Sequence, residues 1–163
     1  MKLSRNTKKG LVTIHLLFAA IMFGATITLI LLSGGISATD DAQVMQRNYE
    51  VMHLISTTIV RGSTFATIIT GILLSMMTPW GLFKFYWIIA KEVLSLILFT
   101  VNIWGMSAWT NRALQQINNT QDAIYPAALQ VDLWIGLTIQ LVSLILIYGL
   151  SVYKPWGKKK SGG

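Results

Sequence analysis

The fold is decided by the stretch Arg61-Gly-Ser-Thr-Phe-Ala-Thr-Ile-Ile-Thr-Gly-Ile-Leu-Leu-Ser-Met-Met77, an apolar run that begins with an arginine. At helical spacing, one face of this segment is polar or small from His53 through Arg61 to Ser75. A charge near lipid has to turn toward a protein interior, a water-filled cavity or a cofactor. We therefore expect this run to be a membrane-spanning helix whose polar face is covered.

Three further apolar runs accompany it, in a chain of 163 residues that is 53% hydrophobic and 12% charged. Soluble domains contain roughly 25% charged residues, and about 18 consecutive apolar residues suffice to cross a bilayer. We predict helices at about residues 11–33, 46–77, 85–112 and 127–153. The whole chain, 1–163, is thus expected to form a single all-α domain, a transmembrane four-helix bundle.

The positions of the basic residues predict the orientation. Those that a four-span path places on one side are Lys2, Arg5, Lys8, Lys9, Lys84, Lys154, Lys158, Lys159 and Lys160. The only basic residues in the connections on the other side are Arg47 and Arg112. Because basic residues favour the cytoplasmic side, both termini are predicted to be cytoplasmic. The same pattern explains the net charge of +7 by contact with the lipid bilayer rather than with nucleic acid.

An internal repeat is suggested by two helix ends. Residues 74–81 and 150–157 both fit Leu-Ser-x-x-x-Pro-Trp-Gly, at an offset of 76 residues. The same offset aligns His15 with Lys91 and Thr26 with Asn102. This indicates two similar helical hairpins related by an approximate two-fold axis, with His15 and Lys91 in one layer. The alternative is that both matches are a common way of ending a helix at the interface.

Charged residues in the apolar runs need partners. Asp132 is expected at about the depth of Arg61, and an ion pair between them would avoid leaving either charge unpaired. The chain has no cysteine, which excludes disulfides and thiolate chemistry. It also lacks a phosphate-binding glycine loop and a His-Glu-x-x-His motif. The sequence therefore favours a protein that is not an enzyme.

Haem b is the candidate cofactor for the polar interior. Imidazole is a common axial ligand of haem, and bundles bind cofactors through inward side chains. The two histidines, His15 and His53, are predicted about 18 Å apart across the bilayer, so one haem cannot bind both. Each would ligate its own haem iron, with Met22, Lys91 or no second ligand, or be shared across a dimer. Arg61 or Lys91 would hold a propionate. Alternatively, the histidines only join helices.

Two other functions remain open. A small proton-coupled transporter or channel would use His15, Lys91 and Glu92 as an inner titratable layer, and His53, Arg61 and Asp132 as an outer one. Four helices are few for transport, so this protein would act as a homodimer. The third possibility is a non-catalytic membrane accessory protein whose charges serve assembly.

The stretch Lys8-Lys-Gly-Leu-Val-Thr-Ile-His-Leu-Leu-Phe-Ala-Ala-Ile-Met-Phe-Gly24 combines a basic flank, an early histidine and a step of small residues. It resembles small four-helix bacterial integral membrane proteins of unknown function. More distantly, it is similar to the membrane domain of the copper-resistance protein D group, in which an early helix carries a histidine followed by a glycine. The resemblance implies a bacterial cytoplasmic membrane protein in which His15 is the position most relevant to function.

Overall fold

Four long helices form the protein in a computed structural model that describes residues 4–77, 81, 83, 85–119 and 127–155. They are α1 (Arg5–Ser37), α2 (Ala42–Met77), α3 (Tyr86–Asn118) and α4 (Ala127–Tyr153). Each is long and apolar enough to cross a membrane. The predicted all-α four-helix architecture is confirmed. The predicted Pro-Trp helix ends at 78–80 and 156–157 lie outside the described residues.

Local capping explains why two helices are longer than predicted. Ser4 Oγ accepts a hydrogen bond from the Thr7 amide at 3.2 Å, which starts α1 several residues early. The Asp41 carboxylate accepts from the Gln43 amide at 2.8 Å and starts α2 in the same way. The first helix was predicted to end at residue 33, before Gly34-Gly35, but α1 continues to Ser37. A Cβ at Gly35 would lie 3.3 Å from Asn48 Nδ2, so this glycine permits close approach of α2.

The helices form a bundle in which neighbours along the chain are adjacent. α1 packs against α2 and α4, and α3 packs against the same two helices, so α2 and α4 lie diagonally opposite. We call the end with Arg5 and Tyr153 the terminus end, and the end with residues 38–41 the loop end. α2 and α3 pack together mainly through their loop-end halves. The larger apolar core, around Leu29, Tyr49 and Leu133, lies in that half of the bundle.

Two helices contain π-helical turns, at Ser56–Val60 in α2 and Val101–Met106 in α3. In the first, the Arg61 amide bonds to the Ser56 carbonyl, five residues back. In the second, the Ser107 amide bonds to the Trp104 carbonyl, which leaves the Ile103 carbonyl for side chains. Such turns often mark functional sites within helices. Here they flank Arg61, which follows the first turn and contacts the second.

Candidate functional site

All four helices contribute to a buried polar layer near the middle of the bundle. We call Thr26, Thr64, Asn102 and Gln140 the central polar layer; each is at most 2% exposed. Gln140 Nε2 donates to Thr26 Oγ1 at 2.6 Å, which joins α4 to α1. Asn102 Nδ2 donates to Thr64 Oγ1 at 3.1 Å, which joins α3 to α2. The polar stripes predicted from the sequence thus meet inside the bundle.

The threonine hydroxyls determine the orientation of both amides. Thr26 Oγ1 donates to the Met22 carbonyl at 2.8 Å, and Thr64 Oγ1 donates to the Val60 carbonyl at 2.7 Å. Each hydroxyl has one proton, so each can only accept from the amide beside it. The NH₂ groups must therefore face the threonines. This leaves Asn102 Oδ1 and Gln140 Oε1 buried without a hydrogen-bond partner.

The central polar layer follows the predicted repeat. At the offset of 76 residues, Thr26 corresponds to Asn102 and Thr64 corresponds to Gln140. The bond between Thr26 and Gln140 therefore maps onto the bond between Asn102 and Thr64. Both bonds connect the first hairpin, α1 and α2, to the second hairpin, α3 and α4. This equivalence supports the interpretation of the chain as two similar hairpins.

His15 lies near the terminus end and is held by α2. Its Nδ1 is 2.9 Å from Thr70 Oγ1, and a Cβ added at Gly71 would lie 3.3 Å from its Cε1. The Thr70 hydroxyl donates to the Ala66 carbonyl at 2.7 Å, so it accepts from the imidazole. Nδ1 therefore carries the proton, and the Nε2 lone pair of a neutral His15 is left for another group.

His53 repeats this arrangement in the loop-end half. Its Nδ1 is 3.0 Å from Thr110 Oγ1 of α3, and that hydroxyl donates to the Met106 carbonyl at 2.8 Å. His53 and the His15 partner Thr70 are seventeen residues apart on α2, which is about 25 Å along a helix. Each histidine thus has its own site, as predicted, and one haem cannot bind both.

Met22 lies in the core rather than beside His15. It is 4% exposed, and its sulfur is 3.4 Å from the Thr64 hydroxyl. It packs with Leu98 and Leu144. Seven residues separate it from His15 on one helix, about 10 Å along the axis. The two side chains therefore cannot ligate the same iron from opposite sides, and Met22 has a packing role.

Lys91 lies in the layer of His15, as the repeat predicted. Its ammonium is 5.7 Å from the centre of the Trp87 ring, within range of a cation–π interaction. It acts electrostatically on His15, and Lys154 after α4 acts on Lys91 in turn. Three basic groups thus converge at the terminus end.

Arg61 does not have the predicted partner. Its Nη2 donates to Ser107 Oγ at 3.0 Å and to the Ile103 carbonyl at 3.4 Å. Among the residues the structure describes, no ion pair joins Arg61 to Asp132, which is half-buried on α4. The reason is depth: Asp132 lies eight residues before Gln140 of the central polar layer, whereas Arg61 lies only three before Thr64, which puts Asp132 about 7 Å nearer the loop end. The π turn of α3 offers Arg61 a nearer carbonyl. Arg61 Nε is buried without a partner.

Sequence reasoning did not single out Thr70, Thr110 or Ser107, although these are the direct partners of His15, His53 and Arg61. All three hydroxyls bond to a carbonyl four residues back in their own helix, which is typical of Ser and Thr in spanning helices. Because each hydroxyl proton is used within its own helix, each oxygen is left as a hydrogen-bond acceptor for a neighbouring helix. A Ser or Thr at the same depth as a polar residue on another helix is therefore a sequence signal for such a bond.

The described residues contain no group of three or more His, Asp or Glu side chains that could hold a metal ion. The fold and the site therefore define an integral membrane four-helix protein with a hydrogen-bonded polar interior. Residues 9–155 match the family described as predicted integral membrane protein (DUF2269), and the chain belongs to this family. The match agrees with the resemblance to membrane proteins of unknown function and does not support the one to copper-resistance protein D. No curated protein and no solved structure matches.

Proposed function

We propose that this protein binds haem b in the membrane, with His15 Nε2 as an axial ligand of the iron, in haem sequestration, sensing or electron transfer. The observation that supports the proposal is the fixed tautomer of His15. Thr70 accepts the Nδ1 proton, since its own proton is used by Ala66. Histidines that bind metals almost always donate their second ring N–H to such an acceptor. The lone pair on Nε2 is then ready for the iron.

The positive charge of the basic residues at the terminus end would also pair with the carboxylates of haem. Each haem has two propionate carboxylates; Lys91 is a basic group near His15, and Lys154 is a basic group near Lys91. Lys91 extends along Trp87, an apolar aromatic surface. The bound group would supply ligand-binding or one-electron chemistry, while this chain would orient it through His15 and neutralise its carboxylates.

Absorbance spectroscopy tests this proposal. Purified protein titrated with haem should develop a Soret band that saturates at a defined stoichiometry. His15→Ala should abolish the band, and Thr70→Val should weaken binding about tenfold, in line with the loss of a ligand-orienting partner. The band should persist in His53→Ala, which removes a histidine with the same type of bond at the other end of the bundle. Loss of the band in that variant would contradict the assignment of the ligand to His15. A protein that takes up no haem, or equal spectra for wild type and His15→Ala, would refute the assignment.

A second candidate, a proton-coupled transporter or channel acting as a homodimer, is favoured by one observation. Buried polar atoms without partners occur along the bundle, on Ser56, Thr67, Glu92, Asn102 and Gln140. Buried polar groups are normally satisfied by protein or by water. Internal water along this line would provide a path for protons. The test is pH-dependent flux into liposomes that Glu92→Gln abolishes. A protein that neither binds haem nor supports flux would fit the accessory role.

A further inference from the structure

Arg61 is a charge without a counter-charge inside a membrane-spanning helix. In the part of the chain that the structure describes, its guanidinium donates to two neutral oxygens, those of Ser107 and Ile103. No carboxylate pairs with it among the described residues, and its Nε is buried without a partner. An unpaired charge at this depth is costly, and such residues generally face a functional partner. A bound anion would supply the counter-charge that Arg61 lacks.

Ser56 provides a second unused donor five residues before Arg61 on α2. It is fully buried, and its hydroxyl has no hydrogen-bond partner. Most hydroxyl side chains of α2 instead donate to a carbonyl four residues back, namely those of Thr57, Thr58, Ser63, Thr64 and Thr70. Ser56 departs from this behaviour, as does Thr67 further along the helix. The proton of Ser56 is available to a ligand.

The π turn brings these two donors onto one side of α2. The Arg61 amide bonds to the Ser56 carbonyl, so the two residues are successive along the i, i+5 ladder of the turn. In a regular α-helix, residues five apart point about 140° away from each other. The wider π turn reduces this angle to about 50°, since it holds about 4.4 residues. The π turn thus brings the directions of the Ser56 and Arg61 side chains closer together than a regular α-helix would.

We infer that Arg61 and Ser56 bind a small monovalent anion, of the size and charge of chloride, inside the bundle. The guanidinium supplies the charge and the Nε–H, and the serine supplies an O–H donor. Arg61 Nη2 remains bound to α3, so the anion lies beside the contact between α2 and α3. This inference is independent of haem binding, which involves His15 at the terminus end.

Thermal unfolding of the purified protein tests the inference, with chloride as the probe. The midpoint is measured in mixtures of sodium chloride and sodium gluconate at constant ionic strength, because gluconate is too large for a site between two side chains. The midpoint should rise with the logarithm of the chloride concentration once the site begins to fill. Ser56→Ala should shift this dependence to at least tenfold higher chloride, and Arg61→Met should remove it.

Arg47→Met is the matched control, because Arg47 is an exposed arginine of the same helix. It should keep the chloride dependence of the wild type. Ser56→Ala removes a single unbonded oxygen, so it provides the test even if Arg61→Met does not fold. Equal midpoints in chloride and gluconate would overturn the inference. So would a chloride dependence that persists in Arg61→Met or is unchanged in Ser56→Ala.

Discussion

Replacing Thr26 by valine should destabilise the bundle by about 1–2 kcal/mol. The change keeps the side-chain shape and removes the acceptor that the described residues provide for Gln140 Nε2, in a bond of 2.6 Å. Hydrogen bonds between spanning helices contribute about 0.6 kcal/mol on average and about 1.7 at most. A buried polar group that loses its partner adds a penalty of about 1–3 kcal/mol. Gln140 is fully buried, so water does not relieve this penalty.

Thr64→Val is expected to cost a similar amount, because it removes the equivalent acceptor of Asn102 Nδ2. The measurement is unfolding in mixed micelles followed by circular dichroism, with the free energy extrapolated to zero denaturant. Adding Gln140→Leu to Thr26→Val should recover part of the loss, because the orphaned amide is removed.

Thr28→Val is the control for this prediction. Thr28 lies on the same helix, is exposed, and donates only to the Gly24 carbonyl at 3.1 Å. It should change the free energy of unfolding by less than about 0.5 kcal/mol, as surface substitutions usually do. The reasoning about the central polar layer fails if Thr26→Val is no more destabilising than Thr28→Val.

Two further predictions concern packing and orientation. Gly136→Ala should destabilise the protein by about 1–3 kcal/mol in the same unfolding assay, because its Cβ would lie 2.5 Å from the Trp109 ring. Gly149→Ala is the control and should be close to neutral, because there is open space around Gly149. Because the chain has no cysteine, a single thiol can report orientation. A membrane-impermeant maleimide should label Asp40→Cys in intact cells and Asn6→Cys only after permeabilisation; the reverse pattern would contradict cytoplasmic termini.

The four spanning helices were predictable because length and hydropathy determine them almost alone. The polar stripes were predictable because polar residues such as Thr26, Asn102 and Gln140 recur at helical spacing, and a helix in lipid has to turn them toward the bundle interior. Helix ends were less predictable. Gly34-Gly35 is a breaker in water, but it stays helical here, where Gly35 lies against Asn48.

The partner of Arg61 could not be predicted from the sequence alone. Asp132 lies about 7 Å nearer the loop end than Arg61, because it is eight residues before Gln140 of the central polar layer, whereas Arg61 is only three residues before Thr64. The π turns are a second reason. Each inserts one residue into the hydrogen-bond ladder without changing hydropathy, so it rotates every later side chain relative to the expected helix face. Ser107 becomes the partner of Arg61 only because of such a turn in α3.

The two hairpins differ in the type of side chain that each contributes to the central polar layer. In the central polar layer, the first hairpin supplies only hydroxyls, at Thr26 and Thr64, and the second supplies only amides, at Asn102 and Gln140. A pair of identical halves would place hydroxyl against hydroxyl or amide against amide, whereas in the mixed pair each amide NH₂ group donates to a threonine hydroxyl. Two copies of the first hairpin would bring together hydroxyls whose protons are already used within their own helices, so the layer disfavours that pairing. Fragments divided between α2 and α3 should accordingly find each other when co-expressed.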